Sequence, residues 1–182
     1  MSFISLIKIT IPWEHRIQYR AMTKGTFLIW IDADACPKAV RAIVFRAAFR
    51  LDLQVRVVAN CYIPSPKTSR IKCIQVESGP DVADKYIIDA VNKGDIVITA
   101  DIPLANEVVR AGALAIDIRG QLYSDDNIGQ RSAIRDLLHD LREEGMRLGG
   151  PKPFGKKDKQ RFAATFDRTI TKRLREMSND DE

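Results

Sequence analysis

The sequence predicts an α/β fold, a three-layer sandwich with a mainly parallel central sheet and helices at its C-terminal end. Three observations predict it. Short apolar runs rich in β-branched residues alternate with segments whose apolar residues recur at helical spacing. The first of these runs is too continuous for a strand with one wet face, which is the pattern of a strand buried on both sides. Pro or Gly stands at many of the expected transitions, as at Pro37, Gly79-Pro80, Pro103 and Gly112.

The strongest strand signal is residues 27–31, Phe-Leu-Ile-Trp-Ile, followed at once by Asp32 and Asp34. Pro37 suits the first turn of a helix, where its fixed φ helps and its missing N–H costs nothing. Val40, Ile43, Val44, Ala47, Ala48 and Leu51 then line one helix face. Residues 53–59 read as a second strand, and residues 60–70 as a loop rich in turn formers, made basic by Lys67 and Arg70. Residues 71–76 alternate as a third strand. Gly79-Pro80-Asp81 opens a helix expected to reach about residue 92. Residues 95–101 form a fourth strand ending on Asp101. Pro103 starts a helix that should stop near Gly112, and residues 113–117 form a fifth strand ending on Asp117.

The last third changes character. Ser124-Asp-Asp-Asn127 carries N-cap chemistry ahead of a helix with Ile134, Leu137, Leu138 and Leu141 on one face. Residues 149–155 are a Gly/Pro linker. A basic amphipathic helix over 156–177 places Phe162, Phe166, Ile170, Leu174 and Met177 on one side, packed on the domain, and residues 178–182 are a tail. From Pro151 to Met177 there are nine Lys/Arg against three Asp/Glu. Residues 1–22 read as an extension outside the fold, with Met22 a second candidate start. An edge strand over 4–11 is the alternative. The domain proper is expected over 23–148.

The 182 residues suffice for one domain with a real core. A hydrophobic share of 45% and a charged share of 29% describe a soluble globular protein. The net charge of +5 and a pI near 9.2 are compatible with nucleic acid without requiring it. Cys36, Cys61 and Cys73 form no CxxC pair and are odd in number, which fits reduced thiols and a cytoplasmic location. No apolar run approaches the roughly 18 to 20 residues that cross a membrane. Lys8 breaks the apolar start and no small-residue cleavage site follows, so a secretory signal is not expected.

Carboxylates recur where strands end: Asp32 and Asp34, Asp101, and Asp117, with Asp81 and Asp84 in a helix's first turn. If the first, fourth and fifth strands are neighbours, these groups converge on one sheet edge. Converging anions repel unless a cation lies between them, and Mg²⁺ or Mn²⁺ prefers such oxygen ligands. The bland alternative is that each Asp caps a helix, as Asp34, Asp81 and Asp101 can. Asp125 and Asp126 read as caps. Cys36 reads as structural. His15 and His139 suggest neither a zinc site nor a triad, and no P-loop or GxGxxG is present.

The segments Ile-Trp-Ile-Asp32-Ala-Asp-Ala-Cys-Pro37, Gly79-Pro-Asp-Val-Ala-Asp84, Asp95-Ile-Val-Ile-Thr-Ala-Asp-Ile-Pro-Leu-Ala105 and Arg119-Gly-Gln-Leu-Tyr-Ser124 resemble the bacterial YaiI/YqxD family of uncharacterised proteins. Gly149-Gly-Pro151 and the Phe-Asp-Arg at 166–168 fit it too, and the likeness runs roughly from Phe27 to Leu174. The acid pattern is similar to that of the PIN/NYN-like nuclease fold. That resemblance implies Mg²⁺ or Mn²⁺ held by Asp32, Asp81 or Asp84, and Asp101, with Asp34 and Asp117 as additions. It implies cleavage of RNA with Asp32, Asp84 and Asp101 as the catalytic set. Lys67, Arg70, Arg119, Lys172 and Arg173 are then the candidate phosphate contacts.

Two other functions compete. Ile31-Asp32-Ala-Asp34 also resembles the nucleophile motif of haloacid-dehalogenase-type phosphatases, with Asp32 as nucleophile, Asp34 as acid/base and Thr99 at a strand end. The later acidic pair of that superfamily has only Asp125-Asp126 to match it, in a turn. A non-catalytic RNA- or protein-binding module, with the acids as caps and the basic helix as contact surface, is the third.

Overall fold

The computed structural model describes residues 27–144 and 152–180. The expected N-terminal extension and Gly149-Gly150-Pro151 lie outside the described residues. Six strands form one sheet: β1 (Leu28–Asp32), β2 (Gln54–Ala59), β3 (Ile71–Gln75), β4 (Ile96–Ile98), β5 (Leu114–Ile116) and β6 (Leu122–Tyr123). Five helices accompany them: α1 (Lys38–Leu51), α2 (Val82–Ala90), α3 (Ile102–Arg110), α4 (Asp125–Glu143) and α5 (Lys156–Asp180). The strand order is β3-β2-β1-β4-β5-β6, parallel throughout except for β6.

The alternation of side chains along each strand builds two cores. Ile29, Ile31, Val55, Val57, Ile96, Ile98 and Ile116 point to one face, where α1 and α5 cover them. Trp30, Val58, Val97, Ala115 and Tyr123 point to the other, against Ile87 of α2, Leu104 and Val108 of α3, and Ile128 at the start of α4. The result is the three-layer α/β sandwich the sequence predicts. β1 sits at its centre, paired on both sides, which explains its unbroken apolar run.

Several elements differ from the sequence reading. β4 stops at Ile98 rather than at Asp101, because Thr99 and Asp101 turn away into the start of α3. α2 ends at Ala90, two residues before the expected end. β6 was not expected; its two residues are too few to show a period. Ile134, Leu137 and Leu138 of α4 form the expected stripe, but the domain leaves them exposed.

Glycines mark where α5 docks. Gly120 has φ +82, and a Cβ there would lie 2.5 Å from the backbone of Arg161 and Phe162. Thr165 Oγ1 donates to the Gly120 carbonyl at 2.9 Å. At the other end, Arg173 Nε donates to the Gly94 carbonyl at 3.0 Å, over a glycine whose missing Cβ makes room for the guanidinium. Between these points Phe162 and Phe166 stack with centroids 5.4 Å apart and lie, with Ile170, in the core. No helix among the described residues is long and apolar enough to cross a membrane.

Candidate functional site

In an open parallel sheet, ligands bind beyond the carboxyl ends of the strands where the order reverses. Here β1 connects outward to β2 and β4 connects the opposite way to β5, so the reversal falls between β1 and β4. A cavity of about 310 Å³ opens there, and Asp32, Asp34, Asp81, Asp84 and Asp101 all line it, with Asn60 and Gly79. Five of the six predicted acids are thus brought together by elements adjacent in space: the end of β1, the start of α2 and the start of α3.

Each carboxylate is held differently. Asp32 is the last residue of β1 and only 8% exposed. Its Oδ2 accepts from Thr99 Oγ1 at 2.8 Å, while the same hydroxyl accepts the Asp101 N–H at 2.9 Å. Thr99 therefore ties the ends of β1 and β4 together. Burial pushes the Asp32 carboxyl up from its ordinary range, Asp34 and Asp101 add to the rise, and the Thr99 hydrogen bond opposes it. Asp101 caps α3, its Oδ1 accepting the Leu104 N–H at 2.8 Å, so it is both a cap and a cavity residue. Asp34 does not cap α1; its carboxylate accepts the Asn60 N–H at 3.2 Å, joining the end of β1 to the end of β2. Asp81 precedes α2 in the left-handed region, φ 57, and makes no side-chain cap.

Asp84 lies one turn into α2, half-buried. Burial first, then the charges of Asp32, Asp101, Asp81 and Asp34, push its carboxyl up to about 6. Four neighbouring carboxylates thus act on one group in the same direction.

Asp117 stands apart. It does not line the cavity, and its Oδ1 accepts the Arg119 N–H at 3.0 Å, closing the β5–β6 turn. A one-residue step past β5 and the return of the chain into β6 account for this placement. Asp125 and Asp126 are exposed in the first turn of α4, where the capping box is made by Ser124 and Asn127.

The basic candidates also have specific surroundings. Arg119 reaches α5, donating to Asp158 Oδ2 at 2.8 Å. Arg173 holds Gly94 and pairs with Glu176 at 3.3 Å. Lys172 lies 3.8 Å from Glu176, and Arg70 pairs with Asp52. Lys67 is exposed on the loop after β2.

One contributor escaped the sequence reading. Arg41 in α1 is 8% exposed and its Nη1 donates to the Cys36 carbonyl at 2.6 Å and toward the Ala33 carbonyl at 3.5 Å. A buried cation thereby pins the loop that carries Asp34. Its signal is faint: a charged residue on the helix face that also carries Val40, Val44 and Ala48. Cys36 is buried beside it, and burial raises its thiol to about 12, which makes it a packing group rather than a nucleophile.

Comparison with known proteins agrees over most of the chain. A UPF0178 protein of Trichlorobacter lovleyi is 51% identical over 148 residues, 81% of this chain and 96% of that protein. A second, from Geobacter metallireducens, is 50% identical over 149 residues, covering 82% and 96%. A third, from Shewanella amazonensis, is 48% identical over 144 residues, covering 79% and 97%. No solved structure matches the chain. The profile described as "Uncharacterized BCR, YaiI/YqxD family" matches residues 30–172, from β1 into α5, and the chain belongs to that family.

Proposed function

We propose that this protein is a nuclease that hydrolyses RNA phosphodiesters with Mg²⁺ or Mn²⁺. The observation that carries the reading is the convergence of Asp32, Asp34, Asp81, Asp84 and Asp101 on one cavity at the sheet's switch point. The donor set is all oxygen, which suits hard divalent ions. Burial raises Asp84 most, and the repulsion of four neighbouring carboxylates adds to it; such an ion relieves that repulsion. Among the described residues, no group of three or more His, Cys, Asp or Glu side chains is arranged to hold an ion by itself. The fit is therefore to an ion that keeps part of its water and takes further oxygens from a phosphate, as Mg²⁺ does.

When bound, the ion supplies charge neutralisation at the phosphate and a more acidic water. The chain's own groups supply position and proton transfer. Thr99 fixes Asp32, and the cap of α3 fixes Asp101, so two carboxylates stand ready without reorganisation. Asp84, half-buried at the cavity wall, suits a general base that takes a proton from the attacking water. Gly79 and Asn60 complete the cavity wall beside the acids. The likeness of the acid pattern to PIN/NYN-like nucleases supports the same reading.

Asp32→Asn and Asp101→Asn should each abolish Mn²⁺-dependent cleavage of a single-stranded RNA while leaving the far-UV circular dichroism unchanged. Titration calorimetry should show Mn²⁺ binding to the wild type and none to the double variant. Cleavage that survives both substitutions and EDTA overturns the reading.

A further inference from the structure

α4 carries an apolar stripe that the domain does not cover. Ile134, Leu137 and Leu138 are 45%, 58% and 36% exposed, and Leu141 extends the stripe by a turn. The spacing i, i+3, i+4, i+7 puts them on one face. Ile128, buried in the core beneath α3, lies on a different face of α4, so the stripe looks away from the chain's own interior. From Arg131 to Glu143 most of the described side chains of the helix are exposed. A helix of this length has little stability of its own in water and gains it by packing an apolar face.

The flanks identify what packs there. At 100° per residue, Arg131, Arg135 and Arg142 fall along one flank of the stripe. Asp126 and Asp140 fall along the other. A two-fold axis running parallel to α4 sets the basic flank of one copy against the acidic flank of the next. Antiparallel pairing would set like charges together. Ile128, which anchors α4 in the core, lies well round the helix from the stripe, so the stripe is open to a second copy.

We propose that the α4 stripe is the interface of a parallel, two-fold homodimer of this chain. The inference stands on the exposed stripe and its polarised flanks, independently of the nuclease reading.

Analytical ultracentrifugation of the full chain, over about two decades of micromolar concentration, should show a concentration-dependent dimer. Leu137→Glu, at an exposed position that tolerates Glu in a helix, should shift the dissociation constant upward by at least about tenfold with unchanged circular dichroism. Arg135→Glu should weaken the dimer severalfold, most at low salt. In a Cys61→Ser/Cys73→Ser background, Ile134→Cys should form a covalent dimer on mild oxidation, since the parallel pairing apposes residue 134 with itself whereas an antiparallel pairing centred on the stripe sets it against residue 141. A monomer at every concentration, a dimer indifferent to Leu137→Glu, or failure of Ile134→Cys to cross-link overturns the proposal. The first of these outcomes would leave another segment or another protein as the occupant of the stripe.

Discussion

Thr99 is the residue on which the site's geometry turns, because one hydroxyl serves both Asp32 and the backbone of Asp101. Thr99→Val keeps the shape but removes the donor to a buried carboxylate, which costs on the order of 1–3 kcal/mol. It should lower the denaturation midpoint and drive the Asp32 carboxyl further up, shifting the pH dependence of Mn²⁺ binding to higher pH. Asp84 gives a second prediction. Its folded pKa near 6 lies above the ordinary 3.8, so between those values the native state holds more protons than the unfolded chain. Stability in the presence of a chelator should therefore rise as pH falls from about 7 towards 4. Asp84→Asn should raise the melting temperature at pH 7.5 and flatten that slope, while abolishing metal-dependent activity. Differential scanning fluorimetry across pH checks both. The acids themselves were legible in the sequence, because Asp after an apolar run is visible. That Asp101 caps a helix and also lines the cavity, while Asp34 caps nothing, depends on backbone angles that the sequence does not display.

At the scale of elements, α5 shows which features the pattern revealed. Its stripe of Phe162, Phe166 and Ile170 was legible from periodicity and lies in the core. The partner it docks against, a left-handed Gly120 in a two-residue-strand turn, was not. Gly120→Ala should destabilise the protein by at least ~2 kcal/mol, since the added methyl meets helix backbone and the φ is strained for alanine. Urea titration measures the loss. Asp158 acts at the same joint, accepting from the Gly155 N–H, Arg119 and Arg161, which together hold its carboxyl below the usual range. A depressed carboxyl contributes stability above its unfolded pKa and loses it on acidification, the opposite sign to Asp84. α4 shows the reverse failure of the pattern. Amphipathic spacing tells that a helix has an apolar face and not whether the same chain covers it.

Across the whole molecule, the parallel sheet and its three layers were legible because alternation of strands and helices leaves few ways to connect them. The order β3-β2-β1-β4-β5-β6 was not, yet that order puts Asp32 and Asp101 side by side and leaves Asp117 one strand further out. α5 covers the face of β1, β2 and β4, and burying Phe162, Phe166 and Ile170 is worth roughly 5–9 kcal/mol, about the stability of a small domain. A chain ending at residue 148 should accordingly fail to unfold cooperatively and should bind a dye for exposed apolar surface, as judged by calorimetry and fluorescence.

The sequence holds two tryptophans, and Trp30 stands in the central strand two residues before Asp32. Its indole is 4% exposed and donates to Asp95 at 2.9 Å, a carboxylate that also accepts the Leu28 and Asn92 N–H groups. A Trp13→Phe chain thus carries a single tryptophan, inside the strand that ends at the acids, and the wavelength of its emission on excitation at 295 nm follows that strand from folded to unfolded without any label.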